Sequence, residues 1–225
     1  MKIEEALHQI SEIRGHLARA ETFRGTKAVP VAATGIVALA AAAAQPLVVA
    51  DPALAPLAFL GYWIAVATVA ALIGAAELAR AYVRSRTSQE RATIRAVVAQ
   101  LAPPIAGGAV VTCAAISADP ALVRWLPGLW AVFTGLALFA ARPLLPKKTG
   151  IVALLYVAAG SFVLLGRRGD AALLPWVMGA TFGGGQILAA LVFWSDVERD
   201  PGQADRRRSS PQHAKERHAD DEDDR

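Results

Sequence analysis

Charge is what the middle of this chain lacks. No Asp, Glu, Lys or Arg occurs in the windows Ala28 to Ala50, Pro52 to Ala76, Ala96 to Ala118, Trp125 to Ala141, Gly150 to Gly166 or Ala171 to Ser195. Each approaches the roughly 17–25 residues that an α-helix rising 1.5 Å per residue needs to cross a bilayer core. A core helix of a soluble protein keeps one polar face, and these windows have none. Cysteine is nearly absent too. Cys113 stands alone, inside the third window, which excludes a disulfide framework and a cysteine metal site. All four histidines (His8, His16, His213 and His218) lie outside the windows, so haem held by axial histidines between the helices is excluded, as is an H-E-x-x-H zinc site. G-x-S-x-G, a Walker-type glycine loop and a dinucleotide fingerprint are likewise missing. Ser161 follows Gly160 in the fifth window, yet no intramembrane histidine is there to activate it as a nucleophile. The chain is therefore not expected to be an enzyme, and no cofactor is expected.

The charges that are present mark the connections. Lys2, Arg14, Arg19, Arg24 and Lys27 precede the first window, and the next connection, at Asp51 and Pro52, has no basic residue. Arg80, Arg84, Arg86, Arg91 and Arg95 follow the second window, Arg124 alone the third, and Arg142, Lys147 and Lys148 the fourth. Arg167 and Arg168 make the fifth connection discordant, and the tail is basic again at Arg199 and Arg206 to Arg208. Basic loops stay on the cytoplasmic side, so six spans with both termini inside are expected. Trp125, Trp130 and Trp176 then fall at the outer interface, and Tyr82 and Trp194 at the inner one. The polar stretch before the first span carries Glu4, Glu5, Glu12 and Glu21, unlike a cleavable signal, so that span is expected to remain. The net charge of +4 is accounted for by these loops and by anionic lipid. No nucleic acid partner is expected. The alanine-rich composition points to a bacterial inner membrane.

The expected fold is all-α: a polytopic six-transmembrane-helix bundle of three helical hairpins, with an N-terminal amphipathic helix and a disordered C-terminal tail. Residues 1–26 form the cytoplasmic helix, 27–195 the transmembrane domain, and 196–225 the charged tail, too poor in apolar residues to build a core. Ile3, Ile10, Ile13 and Leu17 recur at helical spacing, giving residues 1–26 an apolar face on which a protein partner or a second copy could dock, or which could lie on the inner leaflet.

Three hairpins look alike. Asp51-Pro52-Ala53-Leu54 and Asp119-Pro120-Ala121-Leu122 are identical turns, and Asp170-Ala171-Ala172-Leu173 differs at Pro. Asp caps an outgoing helix and Pro favours its first turn, so such starts arise readily without common ancestry. Mitochondrial carriers also have three two-helix repeats, but their Pro-x-Asp/Glu-x-x-Lys/Arg signature is absent from the odd-numbered spans, which rejects that family.

Few polar groups lie at depth. Gln186 falls near the middle of the sixth span, beside Gly179 and Gly183, a small-xxx-small pair that lets helices approach. Helix packing or contact with a solute would each explain it. Pro103 and Pro104, followed by Gly107 and Gly108, are expected to kink the third span. Glu77 and Arg80 are one turn apart at the edge of the second span, where they can pair. The leading expectation is a membrane protein that works by protein or lipid interaction, as an anchoring, assembly or signalling subunit. The alternative is a transporter or channel for a small neutral or amphiphilic solute.

Overall fold

A computed structural model describes residues 28–198, apart from 86, 147, 167 and 168. The expected N-terminal helix, with Ile3, Ile10, Ile13 and Leu17, lies outside the described residues, as do Arg167, Arg168 and the tail beyond Glu198.

Among the described residues the protein is all helical, with six helices long and apolar enough to cross a membrane. Helix α1 is Ala28–Val48, α2 Pro56–Arg84, α3 Ser88–Ala118, α4 Leu126–Ala141 and α5 Thr149–Gly166. The sixth span is compound: one α-turn Pro175–Met178 (α6), a π-helical segment Gly179–Gly184, and α7, Gly185–Glu198. Short 3-10 turns occupy Pro120–Trp125, Arg142–Leu144 and Gly169–Leu173. Large apolar side chains point outward in every span, among them Leu72 at 64% exposure and Ile105 at 63%. Water would not tolerate such a surface, whereas hydrocarbon does. The protein is integral to a membrane.

Several boundaries differ from the charge-free windows. Helix α2 starts at Pro56, because the Asp51 carboxylate accepts from the Ala53 and Leu54 amides at 3.0 and 3.2 Å and holds those residues in a turn. It then runs past Ala76 to Arg84, through strong helix formers. Helix α3 begins at Ser88, capped by the Thr87 hydroxyl on the Glu90 amide at 3.1 Å, so Arg91 and Arg95 belong to a helix and not to a loop. At 29 and 31 residues, α2 and α3 are about 45 Å long and exceed the hydrocarbon core. Asp196 to Glu198, expected to open the tail, continue α7, since no Gly or Pro stops it before Pro201. Helix α3 passes through Pro103 and Pro104 without a break.

Connectivity makes three hairpins, yet the closest packing runs between them. Helices α4 and α5 share the most extensive contact, and α1 lies along the sixth span. Neighbours follow the order α2, α1, sixth span, α5, α4, α3, while α2 and α3 barely touch. Small residues explain the tightest seam. A Cβ on Gly160 would stand 2.6 Å from the Gly128 carbonyl oxygen, so backbone meets backbone there. The main core gathers at the end of the bundle that carries the Asp turns, around Phe59, Leu60, Trp63, Val123, Leu126 and Leu173. A smaller cluster, Ala131, Val152, Tyr156 and Ala189, lies where α4, α5 and α7 meet.

Candidate functional site

The best-built polar site sits on α1. Gln45 is 1% exposed and joins three parts of the chain. Its Oε1 accepts from the Trp63 indole N–H at 2.9 Å, and its Nε2 donates to the Leu173 carbonyl at 3.0 Å. Beside it the Tyr62 hydroxyl donates to the Ala41 carbonyl at 2.6 Å, and the Tyr62 and Trp63 rings meet edge to face at 5.6 Å. Pro46 follows Gln45 inside the helix and, having no N–H, leaves the Ala42 carbonyl without its helical donor. The first and third Asp-turn ends are thus tied together through one amide. Gln45 was as visible in the sequence as Gln186, a lone amide in a charge-free window, but its partners are 18 and 128 residues away.

Gln186 opens α7, half-buried, directly after the π segment. A Cβ on Gly35 of α1 would lie 3.1 Å from the Gln186 Cβ and 3.0 Å from the Gly183 carbonyl oxygen. The side chain also interacts with the Tyr156 hydroxyl, which donates a long bond, 3.4 Å, to the Phe182 carbonyl of the π segment. Gly179 and Gly183 face α1 as well: added Cβ atoms would stand 2.7 Å from the Ala42 Cβ and the Leu39 Cγ respectively. The structure therefore brings Gln186, Gly179 and Gly183 together on one seam with Gly35, and adds Tyr156. It leaves Pro103 and Pro104 apart from them: Pro103 is exposed and Pro104 half-buried on the sparsely packed α3.

Glu77 and Arg80 stand 3.9 Å apart, the limit of an ion pair, with the Arg80 side chain 70% exposed. A contact this exposed contributes about 0–1 kcal/mol. The Trp130 indole N–H donates to the buried Thr112 hydroxyl at 2.8 Å. That hydroxyl in turn donates to the Gly108 carbonyl at 2.8 Å. Trp125 and Trp176 are about half exposed, and the Arg91 guanidinium lies over the Tyr82 ring at 5.7 Å. Of the three Asp turns, Asp119 caps the Ala121 amide at 2.8 Å as Asp51 caps its own, while Asp170 pairs with Arg124 at 2.7 Å.

Cavities at the periphery are lined by described residues. One of about 260 Å³ lies beside Arg124 and Trp125, against Val163 and Leu164 of α5. Another, about 210 Å³, opens sideways between α5 and the sixth span and is lined by Phe162, Trp176, Val177 and Thr181. Neither is lined by Gln45 or Gln186. Among the described residues no three His, Cys, Asp or Glu side chains gather as a metal would need.

Comparison with known proteins gives no match: no family model, no curated protein and no solved structure is significantly similar to this chain.

Proposed function

We propose that this membrane protein acts through protein or lipid interaction, as an anchoring, assembly or signalling subunit, and not through catalysis. The observation that carries the reading is the employment of the amides at depth. Gln45 holds two elements to α1, and Gln186 packs on Gly35 and meets Tyr156, so both serve contacts within the protein. The basic connections support cytoplasmic termini, which sets the patterned segment 1–26 beside the inner leaflet, in a bacterial inner membrane. The partner is a second protein or another copy docking on Ile3, Ile10, Ile13 and Leu17, with the lipid bilayer around the spans.

The test is purification of the full chain and of a chain lacking residues 1–25 from native membranes in mild detergent. A stoichiometric companion, or a dimer mass, that disappears with the truncation is the expected result. The same oligomeric state and the same companions for both chains, together with solute uptake by proteoliposomes, would overturn the reading in favour of transport. One observation favours that alternative. A π segment beside a mid-span Gln places irregular backbone at membrane depth, where transporters bind small neutral or amphiphilic solutes.

A further inference from the structure

The cleft between α5 and the sixth span is lined by a residue whose hydroxyl the protein itself leaves unused. Thr34, Thr68, Thr93, Thr112 and Thr134 each donate the side-chain hydroxyl to a carbonyl three or four residues back, which satisfies it within the helix. Thr181 does not. It lies in the π segment, where the hydrogen-bond step is five residues and not four. Among the described residues its hydroxyl makes no hydrogen bond. Nor is that hydroxyl closed in, since among the described residues Thr149 alone has an enclosed side-chain atom without a partner. Thr181 is half-buried, and it lines the lateral cleft of about 210 Å³ together with Phe162 and Trp176.

Depth decides what can reach it. Thr181 follows Pro175 by six residues, about 9 Å along the axis from the Asp-turn end of the span. The span of 21 residues matches the hydrocarbon thickness, so this hydroxyl stands inside the apolar layer. Water does not satisfy it there, and a hydroxyl without a partner in such surroundings is costly. A partner has to come from the bilayer.

The chemistry of that partner follows from the lining. No charged residue borders the cleft, so the occupant is neutral. A carbonyl that accepts the Thr181 proton leaves no donor unpaired, whereas an alcohol paired one-to-one with Thr181 would strand one of the two O–H groups. Phospholipid ester carbonyls stay at the edge of the hydrocarbon, and acyl chains carry no acceptor. Phe162 and Trp176 offer aromatic surface on which a flat ring packs well.

We propose that this cleft binds the head of a neutral, lipid-soluble quinone, the Thr181 hydroxyl donating to a ring carbonyl and the ring lying against Phe162 and Trp176. The proposal is one of binding, with no redox step. It rests neither on residues 1–26 nor on Gln186, which does not line the cleft, so it stands apart from the reading of function above.

The experiment titrates a decyl-substituted benzoquinone into the full chain in phosphatidylcholine nanodiscs and follows quenching of tryptophan fluorescence. Decylbenzene, which has the ring and the chain but no carbonyl, is the competitor. Quenching is expected to saturate, and Trp176→Phe, which keeps an aromatic wall, should remove most of the saturable part. Thr181→Val has nearly the same shape without the hydroxyl. It is expected to weaken quinone binding about three- to tenfold, the equivalent of one hydrogen bond in a membrane, while the melting temperature holds or rises. Thr181→Ser restores the hydroxyl and should recover most of the affinity. Decylbenzene should compete poorly, and equally poorly against the natural protein and Thr181→Val. Quenching that rises without saturating would mean partition into lipid alone and would overturn the proposal. So would saturable quenching undiminished in Trp176→Phe, or equal affinity in Thr181→Val. Competition by decylbenzene as strong as the quinone's own binding would show that the cleft takes any hydrocarbon, and also sinks it. A lower melting temperature in Thr181→Val with no recovery of binding in Thr181→Ser would assign the residue to the fold instead.

Discussion

Trp63 and Gln45 face one another across the α1–α2 contact, indole N–H to amide oxygen at 2.9 Å, with both side chains at most 2% exposed. Both groups are closed off from the surface, and Gln45 spends its other end on the Leu173 carbonyl. One amide thereby fixes α2 to α1 and positions the turn that leads into the sixth span.

Gln45→Leu keeps the side-chain volume but strands the Trp63 N–H and the Leu173 carbonyl in a buried place. An orphaned buried group costs about 1–3 kcal/mol, whereas an interhelical bond in a membrane averages about 0.6 kcal/mol because the unfolded chain finds other partners. With two groups stranded, a loss of about 2–4 kcal/mol is expected. Thermal unfolding in detergent, followed by circular dichroism, measures it. A loss no greater than that of the lipid-facing change Leu72→Ala would show that the bonds contribute nothing net.

Glycines of the same helical propensity should respond in opposite directions. Gly160→Ala places a Cβ 2.6 Å from the Gly128 carbonyl oxygen and 2.8 Å from Val132, and backbone cannot step aside cheaply. Overpacking of this kind costs about 1–3 kcal/mol. Gly61 on α2 has nothing within 4 Å of an added Cβ, so Gly61→Ala should stabilise the helix by up to about 1 kcal/mol. Equal shifts for the two variants would mean that the α4–α5 seam separates readily and that the close backbone contact is unimportant.

The spans were legible because hydrocarbon demands uniform apolarity over a fixed length, a property of contiguous residues. Local caps were legible for the same reason: Asp51 and Asp119 reach only two or three residues ahead. Asp170 looks the same in sequence but bonds Arg124, 46 residues away, and that choice depends on how the second and third hairpins meet. Pro103 and Pro104 carry a kink signal and lie inside α3, which continues as one helix through them, as a long helix with exposed flanks tolerates two missing bonds. The π segment had no distinctive signal beyond its glycines. The segment packs against Gly35, Leu39 and Ala42 on one side and Tyr156 on the other, neighbours distant in sequence.

Orientation in the membrane is open to a direct measurement. With Cys113 removed, a cysteine at the exposed Leu54 should react with a membrane-impermeant maleimide added to intact cells. A cysteine at the exposed Gln89 should react only after the membrane is opened. The expectation follows from the basic residues bracketing the α2–α3 and α4–α5 connections. The reverse pattern would place both termini outside and remove the cytoplasmic setting from the proposed function.

Gln186→Leu distinguishes packing from solute contact. Leu fills a similar volume but has no donor or acceptor, so the change removes hydrogen bonding alone. The Gln186 Cβ would still lie against Gly35, and only the interaction with the Tyr156 hydroxyl is lost. Losing that polar contact at a half-buried position should cost no more than about 0.6–2 kcal/mol, less than Gln45→Leu. The fold and the cellular activity should persist, with no ligand-induced stabilisation that depends on Gln186. If Gln186 contacts a solute, the variant should keep its melting temperature and lose uptake or the thermal response to that solute. An unchanged melting temperature with a lost response would therefore replace the interaction reading with transport. A larger loss of stability from Gln186→Leu than from Gln45→Leu would show instead that the seam along Gly35 and Gly183, and not the Asp-turn core, holds the bundle together.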